Sequence, residues 1–176
     1  MKKILIFGGT GQVGTHLVRL LTKNNYKVTV VTRNIHKKGH KMKIMGNAGY
    51  INLVEANIFD EKKIRKLFSD ADICINLIGI LFEKGANSFK NIHIVFPSLL
   101  AKLCKEYKLQ HFIHLSALGV NKAIDSDYAK SKLNGELEIL KNFSRATILR
   151  PSIVFSRSDS FTTLFMTLLS NLPLFP

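Results

Sequence analysis

Tyr128 and Lys132 stand four positions apart in the segment Asp127 to Asn142, whose apolar spacing predicts a helix, so both side chains point to one face. A tyrosine ordinarily loses its proton at about pH 10, and an ammonium group beside it favours the phenolate, which gives the pair the makings of a general acid/base. Ser116, just after the apolar run His111 to Leu115, is placed to hydrogen-bond a substrate oxygen. By itself Tyr-x-x-x-Lys is a common spacing on surface helices, so the rest of the chain must give it meaning. The second chemical group is Gly8-Gly9-Thr10-Gly11-Gln12-Val13-Gly14, which follows the apolar run Lys3 to Phe7 and precedes Val13, Leu17, Leu20 and Leu21 at helical spacing. Glycines there let the backbone turn sharply and approach a pyrophosphate, while the helix start offers amides and a favourable dipole to negative charge. The alternative is a mere strand-to-helix turn, and the position between a first strand and a first helix argues against it.

About twenty positions past such glycines, an acidic residue accepts hydrogen bonds from the ribose 2′-hydroxyl in sites that select NAD. This chain has none there. Tyr26 to Thr32, a second strand, ends instead at Arg33, with Lys37 and Lys38 beyond it, and a guanidinium can grip a 2′-phosphate in bidentate geometry. NADP(H) is therefore favoured, although NAD(H) can bind without an acidic partner. The alternative for Arg33 is a solvated charge at a strand end.

The elements that must hold these groups alternate along the chain. Gly49 to Glu55 reads as a third strand, Glu61 to Ser69 as a helix and Ile73 to Ile78 as an apolar fourth strand. Phe96 to Tyr107 reads as a helix with a proline in its first turn, His111 to Leu115 as a fifth strand and Ala146 to Leu149 as a sixth. Near-continuous apolar strands alternating with helices imply a parallel sheet covered on both faces. The expected fold is α/β, a doubly wound Rossmann-type sheet over residues 1–155, with 156–176 opening a C-terminal region. Lys37 to Lys43 reads as a basic, solvated loop. His93, His111 and His114 lack any metal-ligand spacing and read as packing residues.

Composition narrows the setting. The formal net charge is +14, and the first acidic residue is Glu55. Such a field attracts anions, from a phosphorylated cofactor to a membrane surface or a nucleic acid, and base composition of the genome can equally enrich lysine. No basic helix with interleaved aromatics argues for nucleic acid. Cys74 and Cys104 show neither a disulfide framework nor zinc spacing, which fits a reducing, cytoplasmic compartment. The stretch Ser160 to Pro176 is uncharged but interrupted by Thr, Ser, Asn and Pro; it is too short for a membrane span and reads as a helix packing on a missing or partner domain.

Together these motifs resemble the extended and atypical short-chain dehydrogenase/reductase superfamily, the NAD-dependent epimerase/dehydratase-like proteins. The likeness rests on the glycine loop, Asn57-Ile58-Phe59-Asp60, Asn76-Leu77-Ile78-Gly79, Ser116 with Tyr128 and Lys132, and Leu149 to Phe155. Within that superfamily, Asn76 to Gly79, Lys108 to Ser116 and Tyr128 to Glu136 are most similar to the nucleotide-binding accessory subunits of respiratory complex I and their bacterial relatives. The resemblance implies a cofactor site made by Gly8, Thr10, Gly11, Gln12, Val13, Gly14, Arg33, Asn57, Ile58, Asn76, Ile78, Gly79 and Lys132, the last on the nicotinamide ribose. It also implies Ser116, Tyr128 and Lys132 as catalytic residues where there is catalysis. Asn57 stands where relatives place an acidic side chain near the adenine, and Ser156 where they commonly have glycine. Relatives continue into a domain that shapes the substrate pocket, and that C-terminal substrate region is expected to be largely absent here. The expectation that follows is a structural or stabilising NADP(H)-binding protein, peripheral at the inner face of an energy-transducing membrane, with a protein partner of the respiratory-complex kind reached through the apolar tail. The alternatives are an NADP-dependent oxidoreductase or epimerase acting on a small carbonyl or nucleotide sugar, and a sensor whose basic surface binds a partner or nucleic acid.

Overall fold

The computed structural model describes residues 1–123, 125–156, 166–167 and 169–170. Six parallel strands form one sheet: β1 (Lys3–Phe7), β2 (Lys27–Thr32), β3 (Ile51–Glu55), β4 (Ile73–Asn76), β5 (His111–Leu115) and β6 (Thr147–Leu149), in the spatial order β3-β2-β1-β4-β5-β6. The helices are α1 (Gln12–Lys23), α2 (Ile35–Lys43), α3 (Glu61–Phe68), α4 (Phe96–Glu106) and α5 (Asp127–Asn142), with a π-helical segment, Lys90–Val95, running directly into α4.

Alternation along the strands builds two apolar layers. Leu5, Phe7, Cys74 and Phe112 face α3, α4 and α5, where Ile64, Phe68, Leu100, Leu103 and Ile139 are buried against them. Ile4, Ile6, Val28, Val30 and Ile75 face the other way, onto Val18 of α1 and Met42 of α2. This is the doubly wound α/β sheet expected from the strand composition. The order of strands reverses between β1 and its two neighbours, β2 and β4, which opens a crevice at their carboxyl ends, the usual place for a ligand in such sheets.

Two segments differ from the sequence reading. The expected basic loop Lys37 to Lys43 is part of α2: the Asn34 side chain accepts from the Lys37 N–H at 3.0 Å, the Glu55 carboxylate accepts from the Ile35 N–H at 2.8 Å, and Met42 is buried below. These caps satisfy the first-turn amides that a lysine-rich helix otherwise leaves to water. The fourth strand ends at Asn76 rather than Ile78, and the chain then leaves the sheet. Apart from four residues, the apolar tail from Ser160 to Pro176 lies outside the described residues. No described helix is long and apolar enough to cross a membrane.

Candidate nucleotide site

The glycine turn is built for close approach. Gly8 has φ +80°, a conformation that side-chain-bearing residues rarely adopt, and a Cβ on Gly14 would stand 2.4 Å from the Gly8 carbonyl oxygen. The Gly11 N–H closes the turn on the Gly8 carbonyl at 3.0 Å. Gly11 caps α1 without a side chain, so amides of the first helical turn are left to water or to an anion at the crevice.

The crevice is a cavity of about 510 Å³. Gly8, Thr10, Gly11, Arg33, Ile58, Ile78 and Gly79 line it, as expected. So do four residues that the spacing of residues did not single out as cavity lining: Lys37 and Asn34 at the start of α2, and Phe82 and Lys84 on the loop after β4. Arg33, Lys37 and Lys84 bring three cations to the cavity, and among the described residues no carboxylate lines it. Glu55 pairs with Thr32 across the β2–β3 ladder but turns to cap α2.

The remaining expected residues stand around it. Gln12 reaches over the mouth to donate to the Val154 carbonyl at 3.0 Å, and Val13 is half-buried in the first turn of α1. Asn57 is exposed and does not line the cavity; its Oδ1 accepts from the Phe59 N–H at 3.1 Å, which leaves its NH2 group for any contact with a base. Asn76 is fully buried and acts on the loop: its Oδ1 accepts from the Ile78 N–H at 3.1 Å, while its NH2 meets His114 Nδ1 at 3.1 Å.

Ser116, Tyr128 and Lys132 lie beyond the Gly79 end of the cavity. Lys132 is 4% exposed, and its Nζ donates to the Leu115 carbonyl at 3.2 Å. A Cβ on Gly79 would stand 3.2 Å from that Nζ, so glycine leaves the ammonium access to the crevice floor. Burial pulls the Lys132 pKa down to about 8, against the opposing charge of Glu136. The expectation that Lys132 draws Tyr128 toward phenolate is not met. Burial raises the Tyr128 pKa, and its ring packs edge-on to His93 and Phe89, so the phenol stays protonated.

Near these groups two buried polar atoms have no partner among the described residues: Ser116 Oγ and His114 Nε2. His114 Nδ1 accepts from Asn76, so the ring proton sits on Nε2 as an unpaired donor. Such atoms fit a ligand or an ordered water, since leaving them unpaired costs about 1–3 kcal/mol each. Behind them Glu136, 2% exposed, pairs with Arg150 through Nε at 3.0 Å and through Nη2, pinning the segment after β6 to α5. His93 and the Glu136–Arg150 pair stand behind the site, outside the cavity lining, and were not connected with it from the sequence. Each depends on contacts between distant segments.

Fold and site together define a nucleotide-binding Rossmann domain of the extended short-chain dehydrogenase/reductase type. The chain belongs to the NmrA-like family, whose model matches residues 1–175. Among curated proteins it is similar to the mouse mitochondrial NADH dehydrogenase [ubiquinone] 1 alpha subcomplex subunit 9, at 32% identity over 161 residues, covering 91% of this chain and 42% of that protein. It thus spans under half the length of this relative. Among solved structures it is similar to UDP-glucuronic acid 4-epimerase from Bacillus cereus in complex with NAD, with a TM-score of 0.78 and 26% identity, covering 98% of this chain and 65% of the other. The Bordetella bronchiseptica enzyme WbmH in complex with NAD+ shares the fold, with a TM-score of 0.81 at 19% identity, covering 97% and 63%.

Proposed function

We propose that this chain binds NADP(H) in the crevice and serves as a nucleotide-loaded, stabilising component of a larger assembly of the respiratory complex I kind. The observation that carries this reading is the cavity at the strand-order reversal, lined by the glycine turn and by Arg33, Lys37 and Lys84, with no carboxylate in its lining among the described residues. The glycine turn and the start of α1 suit the pyrophosphate; Ile58 and Asn57 the adenine; Asn76, Ile78 and Gly79 the nicotinamide half; and Lys132 its ribose. Both solved relatives above hold NAD. The preference for the 2′-phosphorylated form rests on Arg33 with Lys37, and on the engagement of Glu55 elsewhere.

A holding role is favoured by Tyr128, whose half-buried phenol is pushed toward its protonated form rather than poised as a base. The mouse relative is a subunit of NADH dehydrogenase, which makes a peripheral place on such a complex, facing the cytoplasm, our reading of the setting. Residues 156–176 are assigned to a C-terminal region, whose uncharged stretch after Ser160 would meet the partner. A second reading, an NADP-dependent oxidoreductase or epimerase, is favoured by Ser116 Oγ, a buried hydroxyl without a partner beside the Tyr128 helix. A bound nicotinamide would supply the hydride in that case.

Calorimetric titration of the purified chain with NADPH and NADH tests the reading. Tighter binding of NADPH is expected, with a stability gain of about 2.7 kcal/mol at a hundred-fold excess over Kd. Absence of binding by either dinucleotide overturns the assignment. Turnover with a panel of carbonyl compounds would replace the holding role by the enzyme reading.

A further inference from the structure

His93 sits in the π-helical segment, 1% exposed, and meets the site from behind. Its Nε2 accepts from the Ile80 N–H at 3.1 Å, so that nitrogen carries no proton. The proton is on Nδ1, which donates to Ser131 Oγ at 2.8 Å, and the Ser131 hydroxyl donates in turn to the Tyr128 carbonyl at 2.7 Å. One imidazole therefore joins the loop after β4 to the first turns of α5. Its faces are engaged as well: the ring stacks on Phe89 at 5.3 Å between centroids and stands edge-on to Tyr128 at 5.4 Å. A Cβ on Gly79 would lie 3.8 Å from His93 Nε2 and 3.2 Å from Lys132 Nζ, so the two nitrogens flank the same stretch of crevice floor.

We propose that His93 is a positioning residue that fixes the Ile78-Gly79-Ile80 backbone against the Tyr128 helix, so that filling of the crevice is felt at Tyr128. The identity of the ligand rests on the nucleotide reading; the link itself is made by the chain alone. Packing does not demand an imidazole here, because a phenylalanine would fill the place between Phe89 and Tyr128 without burying two polar atoms. What imidazole adds is an acceptor and a donor on opposite sides of one rigid ring, and the two are used on different elements. Burial and the Lys132 charge hold its pKa at about 4, which keeps this donor and acceptor assignment unchanged around neutral pH.

The two arms can be cut separately in the full chain. His93→Gln puts an amide oxygen near the place of Nε2, keeping an acceptor for Ile80 while losing Ser131. His93→Asn puts an NH2 group near the place of Nδ1, keeping Ser131 while losing the acceptor for Ile80. The readouts are NADPH affinity, the Ile80 amide signal, the Tyr128 ring signals in tyrosine-labelled protein, and the urea midpoint. His93→Asn is expected to weaken NADPH by about ten-fold, to expose the Ile80 amide to solvent exchange and to remove the response of the Tyr128 signals to saturating NADPH, each variant being compared with its own free form because both lose the imidazole ring beside Tyr128. His93→Gln is expected to keep affinity within about two-fold and the Ile80 amide protected from exchange, while likewise removing the response of the Tyr128 signals to NADPH. A Tyr128 response to NADPH that persists in both variants, or Ile80 exchange that is the same in both, would overturn the proposal and leave His93 a packing residue. A wild-type chain that binds neither dinucleotide defeats the nucleotide reading instead. Exchange of the Ile80 amide in the free chain then decides the link, a difference between the two variants supporting it and its lack overturning it.

Discussion

A Cβ at Gly135 would lie 1.8 Å from the carbonyl oxygen of His93. The reason begins in α4, where Pro97 has no N–H to give the carbonyl four residues back, which is that of His93. The helix widens into a π turn over Lys90–Val95, and α5 closes on it with a glycine whose Cα–H meets the freed oxygen. Gly135→Ala is therefore expected to destabilise the fold by about 3 kcal/mol, at the upper end for overpacking, because backbone rather than a movable side chain must give way. Urea unfolding would show this as a lowered midpoint at unchanged slope.

Arg33→Asp tests the selectivity. An aspartate facing a 2′-phosphate replaces a charge-assisted contact by repulsion, so NADPH affinity is expected to fall by roughly ten- to hundred-fold, for about 1.5–3 kcal/mol. NADH, which lacks the phosphate, is expected to bind as before or better, since the carboxylate can accept from a 2′-hydroxyl. Equal losses for the two dinucleotides in calorimetry would remove the 2′-phosphate from Arg33.

Acid should loosen this fold early. Burial, and after it the charge of Lys132, depresses His93 to about 4 and His114 to about 3, against 6.5 for an ordinary imidazole. Below pH 6.5 the unfolded chain takes up protons that these two buried rings refuse. Stability is then full well above 6.5 and drains as pH falls, by about 1.5 kcal/mol for each ring between pH 6.5 and 5. Urea midpoints at pH 7, 6 and 5 would follow it. His114→Asn keeps an acceptor for Asn76 but cannot titrate, and should remove about half of the slope.

The sequence made some of this legible for physical reasons that act locally. Lys3 to Phe7, Tyr26 to Thr32 and His111 to Leu115 are apolar on both faces, as only strands sandwiched between helices are, and Gly8 to Gly14 carries its geometry in its own backbone. Helix α2 was hidden because its buried positions are few and its lysines make it look solvated; Asn34 and Glu55, its caps, were the available signs. The π turn and the role of His93 depend on Gly135, Ser131 and Ile80, which no spacing rule brings together. The direction of the Tyr128 pKa turned on burial against Phe89 and His93, a tertiary fact, whereas the Tyr128 and Lys132 spacing spoke only for charge.

The Glu136 and Arg150 pair offers a last test, in which the single and double substitutions should disagree. Glu136 is 2% exposed and shares its carboxylate between Arg150 Nε at 3.0 Å and Nη2, while Arg150 keeps 41% of its side chain in water. Removing the guanidinium by Arg150→Ala leaves a buried carboxylate without its ion-pair partner, though still in the field of Lys132 one turn back on α5, and should cost about 3 kcal/mol. Replacing both, Glu136→Leu with Arg150→Met, removes the charge that needs a partner and should cost less than Arg150→Ala alone. The double variant has a second consequence, because Glu136 opposes the burial that depresses Lys132. Without it the Lys132 pKa should fall further below about 8, which direct observation of the lysine by NMR across pH 6 to 10 would record. A double variant less stable than Arg150→Ala would mean that the pair sustains the fold through its geometry, holding the segment after β6 on α5, and not through the neutralisation of a buried charge.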